Sequence, residues 1–456
     1  MTYLITTPTT ESEATMRLTV IGTGYVGAVH AACMAHIGHE VLGVDVDAER
    51  IAALTSGRPP FFEPGLSEML RKAVDAGRLR FTTSPVEAAW FGDTHFICVG
   101  TPQHDGSGVA DLRHVEAAVD GLAPYLHDSG YERVLVVGKS TVPVGTADRL
   151  ARRLNAAAPG AEVAWNPEFL REGCAVQDTL RPERIVVGTR SEHAEARMRT
   201  LYAPLLDAGT PFIGTDPSTA ELVKVASNSF LATKISFINA MAEICDATGG
   251  DVLTLAEAMG RDSRIGPRFL APGLGFGGSC LPKDIRAFTA RAEELGLGDS
   301  VAFLRQVDDI NTRQRRRIVD MAERLVGDNF AERNVAVLGA AFKPRSDDVR
   351  DSPALAVADE VRRRGARVRV HDPEAVDNAR AAYPALQYAL NVAKACERAD
   401  VVLHLTEWPQ YRELDPAVLA TVVRTPAIVD ARNALDPVAW CAAGWTLCAP
   451  GRPRLG

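Results

Sequence analysis

Arg17-Leu18-Thr19-Val20-Ile21 is a short apolar strand that runs directly into Gly22-Thr23-Gly24-Tyr25-Val26-Gly27, and Ala28 to Ile37 continues as a helix. This constrains the fold more than any other stretch. A GxGxxG run set between strand and helix makes a tight turn, lets backbone approach a pyrophosphate, and packs the helix closely on the strand. The next strand, His39 to Val46, carries Asp45, 23 positions after Gly22. That is close to the ~20 residues between such a turn and its ribose-binding acid. Gly22, Gly24, Tyr25, Val26 and Gly27 are therefore candidate dinucleotide contacts. Asp45 favours NAD over NADP, because a carboxylate accepts from a 2′-hydroxyl and repels a 2′-phosphate. Arg50, close by, is suited to a phosphate or to stacking on adenine.

Further strands each lead into a polar loop. Thr94 to Val99 enters Gly100-Thr101-Pro102, and Arg133 to Val137 enters Lys139-Ser140-Thr141. Glu162 to Trp165 enters Asn166-Pro167-Glu168-Phe169-Leu170-Arg171-Glu172-Gly173, and Arg184 to Val187 closes the series. Alternating strands and helices indicate a parallel, doubly wound sheet with ligands at the carboxyl ends of its strands. From Thr219 to Thr248 the pattern becomes one helix of roughly 30 residues, ~45 Å long. Its apolar residues run almost all the way round, which places it between domains or subunits. Beyond residue 331 the first half is echoed: Asn334 to Gly339, Arg367 to Asp372 and Asp400 to Leu405 resemble the opening strands. The turn Gly339-Ala340-Ala341-Phe342-Lys343-Pro344 lacks GxGxxG, but Lys343 can hold a phosphate as a point charge. The expected fold is α/β: two Rossmann-like, doubly wound parallel-sheet domains joined by a long central helix. The expected bounds are a disordered extension over 1–15 with Met16 as a candidate start, a dinucleotide domain over 16–215, a central helical dimerisation domain over 216–315, and a second Rossmann-like domain over 316–456.

The chemistry-bearing stretch is Phe276-Gly277-Gly278-Ser279-Cys280-Leu281-Pro282-Lys283-Asp284. A thiol follows two glycines, with a cation and a carboxylate just beyond it. Such a setting suits covalent catalysis, since the thiolate is the species that attacks carbonyls. Lys224 and Asn228, four apart on the long helix, project from one face and can stabilise an oxyanion. Asp284 is placed to activate the thiol or a water.

Composition narrows the alternatives. The chain of 456 residues is 46% hydrophobic, and its net charge of −8 argues against nucleic acid and acidic membranes as partners. Eight scattered cysteines without CxxC spacing give no metal site and match a reduced, cytoplasmic protein. No run approaches the ~18 apolar residues of a membrane span, and residues 1–15 lack the features of a signal peptide.

Taken together, GTGYVG at 22–27, STVPVGT at 140–146, NPEFLREG at 166–173, ELVK with SN at 221–228, FGGSCLPKD at 276–284, AFKPRSDDVRDSP at 341–353 and DARN at 430–433 resemble the UDP-glucose/GDP-mannose dehydrogenase family. The resemblance covers nearly all of residues 16–440 in the same order. It implies oxidation of the C6 alcohol of a nucleotide-linked hexose to a carboxylate, with two NAD and one water. It also implies a UDP- or GDP-binding carboxyl-terminal sheet and a homodimer or higher oligomer on the central helix. On that pattern Cys280 forms a thiohemiacetal and then a thioester, Lys224 and Asn228 hold the oxyanion, and Glu168 and Thr141 serve the hydrolytic water. Cofactor contacts would add Val99, Thr101, Ser140, Thr141, Glu172, Lys283 and Arg350. Substrate contacts would be Glu168, Phe169, Leu170, Glu172, Lys224, Asn228, Phe276, Gly277, Lys343 and Arg432, with Arg264 reaching across the dimer. Ala271-Pro272 stands where some relatives carry Lys, leaving Arg268 to supply a phosphate contact. Phe169, where relatives acting on N-acetylated sugars usually carry Arg, points to UDP-glucose and UDP-glucuronate, which feeds polysaccharide synthesis. GDP-mannose is the runner-up. A two-electron hydroxyacid dehydrogenase would need the lysine but not the thiol, and a dinucleotide-binding sensor would need neither.

Overall fold

A computed structural model of the chain describes residues 15–104 and 106–453. The expected extension over 1–15 lies, apart from Thr15, outside the described residues. The first sheet contains β1 (Arg17–Ile21), β2 (Glu40–Val44), β3 (Leu79–Thr82), β4 (Thr94–Ile97), β5 (Leu135–Gly138), β6 (Glu162–Trp165), β7 (Ile185–Thr189) and β8 (Phe212–Thr215). Their order is β3-β2-β1-β4-β5-β6-β7-β8. The second contains β9 (Asn334–Leu338), β10 (Arg367–His371), β11 (Gln387–Tyr388), β12 (Val401–His404), β13 (Ala427–Asp430) and β14 (Thr446–Cys448). Its order, β11-β10-β9-β12-β13-β14, repeats that of the first six strands, so the echo read in the sequence is a repeat of topology.

The strands are runs of β-branched residues because both faces are covered. Leu18 and Val20 pack into one apolar layer of the first sheet, while Leu42, Ile97 and Val136 pack into the layer on the other face. The second sheet has its own core around Val335, Val337, Leu355, Val402 and Ile428.

Two details depart from the sequence reading. β7 is antiparallel to β6, pairing Ala164 with Thr189 and Trp165 with Gly188. The connecting helix, Ala175–Leu180, has six residues, which is too short to carry the chain back along the sheet for a parallel return. The series also does not close at β7, because β8 adds to it in parallel.

Four helices position the site. Helix α1 (Tyr25–His36) follows the glycine turn. Helix α2 (Pro217–Thr248) is the long central helix, capped by Asp216 accepting from Thr219 N and ended by Gly249 at φ 79°. Helices α3 (Leu281–Glu294) and α4 (Phe303–Leu325) pack against it. The inward face of α2 is mostly small or polar, with Ala220, Lys224, Asn228, Ala232, Ser236 and Asn239 all buried. Val225 and Ile238 are buried beside them, while the large apolar residues Phe230, Phe237 and Ile244 are exposed. Among the described residues no helix is long and apolar enough to cross a membrane.

Candidate active site

The loops after β1, β2, β4, β5 and β6 all emerge at one edge of the first sheet, where β1 has β2 on one side and β4 on the other. A crevice at such a reversal is where doubly wound sheets take ligands. The glycine turn has the form a dinucleotide requires. A Cβ on Gly27 would lie 1.8 Å from Gly22 O, so helix and strand approach as only glycine permits. A Cβ on Gly24 would meet nothing within 4 Å, so space remains beside the turn. Helix α1 begins without a side-chain cap, leaving its first N–H groups free for an anion.

Asp45 accepts from Thr23 N at 2.8 Å and from Arg50 Nη1 at 3.0 Å, and these bonds hold its carboxyl below the ordinary range against the effect of burial. Arg50 also lies 3.4 Å from Asp47, so its charge is matched by acids rather than left for a 2′-phosphate. Tyr25 differs from expectation: its hydroxyl points into protein and donates to Glu63. Ser140 Oγ donates to Val99 O at 2.7 Å, and Thr101 Oγ1 donates to Thr141 O at 2.8 Å. The two loops that flank the crevice are thus tied together.

The charged groups meet where α2, α3 and the loop after β6 converge. Lys224 Nζ lies 2.8 Å from Glu168 Oε1, with both side chains buried. Burial works to lower the Lys224 ammonium, but Glu168, Cys280 and Asp284 outweigh it and hold the group above its usual range. Lys224 also sits 5.8 Å from the Phe169 ring centroid, whose other cation is Arg184 at 4.0 Å. Glu168 Oε2 accepts from Leu170 N at 2.8 Å, so the carboxylate also braces its own loop.

Cys280 stands directly before α3 and is accessible, with Ser279 Oγ 3.6 Å from its sulfur. Surrounding protein pushes its thiol up, as do Glu168 and Asp284, while Lys224 opposes them. Asp284 is closely held. It is 1% exposed, one oxygen accepting from Asn228 Nδ2 at 2.7 Å and the other from Lys283 Nζ at 2.7 Å. With both oxygens engaged, it orients Asn228 and Lys283 beside the thiol. Lys283 Nζ is also 3.5 Å from Thr101 Oγ1, which sets it at the border with the dinucleotide crevice.

The glycines before the thiol fit the loop against the second sheet's domain. Gly278 has φ 82°, and a Cβ there would lie 2.7 Å from the Phe342 ring. Gly277 N-terminal to it runs beside Asp351, and Phe276 is fixed by Asn311, which accepts from Phe276 N at 2.8 Å and donates to Phe276 O at 3.0 Å. Gln314 holds Gly273 O, and Asn239 accepts from Gly273 N. Sequence reading missed these three amides. Their signal was weak: Asn311 and Gln314 stand among charged residues that made their face look solvent-facing, and Asn239 is a single amide in an apolar run.

Glu172 joins all three regions. It accepts from Ser279 Oγ at 3.2 Å and Ser346 Oγ at 3.0 Å, and Arg350 Nη2 lies 3.6 Å away. Burial, reinforced by Asp348, raises its carboxyl from 4.5 to about 7. Arg350 itself forms a bidentate pair with Asp348. Lys343 lies over Phe342, 5.3 Å from the ring centroid, and burial lowers its ammonium.

Arg432 faces inward more than expected, donating to Leu405 O, Gly275 O and Phe342 O and so bonding the nucleophile loop to the second sheet. It also lines a cleft of about 250 Å³ with Leu253, Leu270, Ala271, Pro272 and Asn433. Arg268, the suggested phosphate ligand, is paired with Glu183. Arg264 is exposed and paired with Asp262 in its own loop. A further buried cation, Lys139, donates to Asn166 Oδ1 at 2.9 Å behind Glu168, and burial lowers it to about 8.

Three family models match in sequence order. The NAD binding domain of the UDP-glucose/GDP-mannose dehydrogenase family matches residues 16–206, its central domain 218–313 and its UDP binding domain 336–437. The UDP-glucose 6-dehydrogenase of Pseudomonas aeruginosa is 42% identical, with 97% of this chain and 98% of the relative covered. The UDP-glucose 6-dehydrogenase of Rhizobium meliloti is 41% identical, with 96% and 100% covered. The solved UDP-glucose dehydrogenase of the hyperthermophilic archaeon Pyrobaculum islandicum superposes with a TM-score of 0.87 at 41% identity, over 95% of this chain and all of that one. The three models follow one another over most of the chain's length, and the protein belongs to the UDP-glucose/GDP-mannose dehydrogenase family.

Proposed function

We propose that the protein oxidises C6 of UDP-glucose to the carboxylate, giving UDP-glucuronate, with Cys280 as covalent nucleophile. The observation that carries this reading is the convergence on one accessible thiol of a buried Lys224–Glu168 pair and a buried Asn228–Asp284 pair. The roughly 40% identity to UDP-glucose 6-dehydrogenases along the whole chain supports the choice of sugar. NAD is the cofactor, and it supplies the acceptor for two hydrides per sugar.

In the first oxidation C6 gives up a hydride to NAD and its hydroxyl proton to a carboxylate of the site, from which the proton passes to solvent, and Glu168 serves the later hydrolytic water. The Cys280 sulfur then bonds to the aldehyde carbon, and the thiol proton passes to the former carbonyl oxygen. This thiohemiacetal passes its hydroxyl proton to a carboxylate of the site and a second hydride to a second NAD, and becomes a thioester. Water attacks the thioester, the C–S bond breaks, the sulfur regains a proton, and the acid leaves. In each step negative charge gathers on the same oxygen. Lys224 and the second N–H of Asn228 are its donors, and losing one such donor costs about 3–4 kcal/mol of transition-state stabilisation. Thr141 aligns the water. Binding the aldehyde as a sulfur adduct keeps it from escaping between the two oxidations.

The division of labour follows the chain. Residues 16–215 hold NAD through the glycine turn, Asp45 and the Ser140–Thr141 loop. Residues 316–456 hold the nucleotide, with Lys343 as a phosphate contact and Arg432 bracing Gly275 and Phe342 through their carbonyls. Residues 216–315 join two copies through the exposed face of α2, bringing Arg264 to the partner's site. With UDP-glucose and NAD, two NADH per sugar are expected. Cys280→Ser should form no acid, and an unchanged yield of acid in that variant would overturn the covalent scheme. Faster turnover of GDP-mannose or of UDP-N-acetyl sugars would move the assignment within the family.

A further inference from the structure

Glu63 was given no role by its sequence context, Phe61-Phe62-Glu63-Pro64-Gly65, yet it is 5% exposed and lies between the two ligand-facing loops. Its Oε2 accepts from Gly173 N at 2.6 Å and from the Tyr25 hydroxyl, and its Oε1 accepts from Ala175 N at 2.7 Å. Gly173 N also lies 3.0 Å from the Tyr25 oxygen. The Phe61 ring packs on the Tyr25 ring with centroids 4.8 Å apart.

These contacts join elements that are distant in sequence. Tyr25 is the first residue of α1, directly after the glycine turn. Gly173 closes the loop that carries Glu168, Phe169 and Glu172. Burial and Glu63 hold the phenol far above its ordinary range, so it remains a donor throughout the neutral region. A buried carboxylate must keep its donors, because each one lost leaves it underbonded in a poorly solvated place. The cofactor turn and the sugar-facing loop therefore cannot shift independently.

We propose that Glu63 and the Tyr25 hydroxyl are positioning residues that couple the two loops, so that NAD bound at the glycine turn favours the nucleotide sugar at the loop after β6, and the reverse. This rests on the assignment of those loops in the proposed function. Ordering one loop through a shared carboxylate lowers the cost of ordering the other, which appears as mutual tightening of two ligands.

Calorimetric titration of the full chain tests it, with NAD added in the absence and presence of saturating UDP, and UDP in the absence and presence of NAD. In the unaltered protein each ligand should tighten the other by about fivefold or more, equally in both directions. Tyr25→Phe removes the hydroxyl and keeps the ring, and should bring that factor, taken as the ratio of the variant's own affinities with and without the second ligand, to within about twofold of unity whatever its affinity for NAD alone. Glu63→Gln, which sets an amide N–H₂ against backbone N–H groups, should do the same and also weaken UDP alone. Thermal unfolding of both variants identifies any loss that is simply a loss of fold, and Tyr25→Phe, the milder change, decides the matter. Binding of both ligands with no mutual effect, or a Tyr25→Phe variant that keeps the full factor, overturns the coupling and leaves the site assignment standing. Failure to bind either ligand overturns both.

Discussion

Lys224 shows how much one side chain decides here. It enters from a helix, is buried, and has its charge matched by Glu168 at 2.8 Å. Removing one member of a buried pair leaves the other uncompensated, at a cost of about 3–5 kcal/mol. Lys224→Met should therefore lower stability by about that amount in urea titrations and abolish turnover. The double variant Lys224→Met, Glu168→Gln should recover most of the stability and none of the activity. If the double variant is as unstable as the single one, the pair is not the reason for the loss. The same reasoning explains Asp284. Burial gives its oxygens to Asn228 and Lys283, and it orients both beside the thiol.

At the scale of elements, α2 inverts the usual arrangement. Its buried face is mostly small and polar because it passes through the active site, and its exposed face carries Phe230, Phe237 and Ile244 at intervals of seven residues. A stripe of this spacing stays on one side of a helix and suits a second helix of the same kind. Phe230→Glu combined with Phe237→Glu should convert a dimer to monomer in light scattering, and activity should fall with it if Arg264 serves the partner's site. An unchanged mass would assign the stripe to something else. The all-round apolar pattern of this helix was legible in the sequence. Which side faced inward was not, because the deciding residues, Lys224, Asn228 and Asn239, are polar groups made buriable by partners from other elements.

Across the whole molecule, Glu172 is the group where the regions meet, touching Ser279 from the central segment and Ser346 from the segment after β9. Its carboxyl is raised from 4.5 to about 7 by burial and by Asp348. A raised acid binds its proton more tightly in the folded state, so its contribution is fully present below about pH 4.5 and is lost as pH climbs to about 7. Stability should fall across that window by on the order of 2–3 kcal/mol from this group, and Glu172→Gln should flatten the decline. An identical pH slope in the variant, measured by thermal unfolding, would remove Glu172 from the account.

The two sheets, the long helix between them, the dinucleotide turn and the thiol loop follow from local patterns: glycines where backbone must approach, strand-length apolar runs, and charges beside a cysteine. Each depends on neighbours in the chain, so one dimension suffices. The sequence by itself therefore determined the class of fold and singled out the candidate reactive groups. Tertiary structure alone decided their states. It set Asp284 and Arg432 to bonding protein atoms, turned the Tyr25 hydroxyl to Glu63, reversed β7, and brought Asn311 to the backbone of Phe276. Whether a polar group is free or held depends on which distant residue shares its burial, and linear spacing carries no record of that.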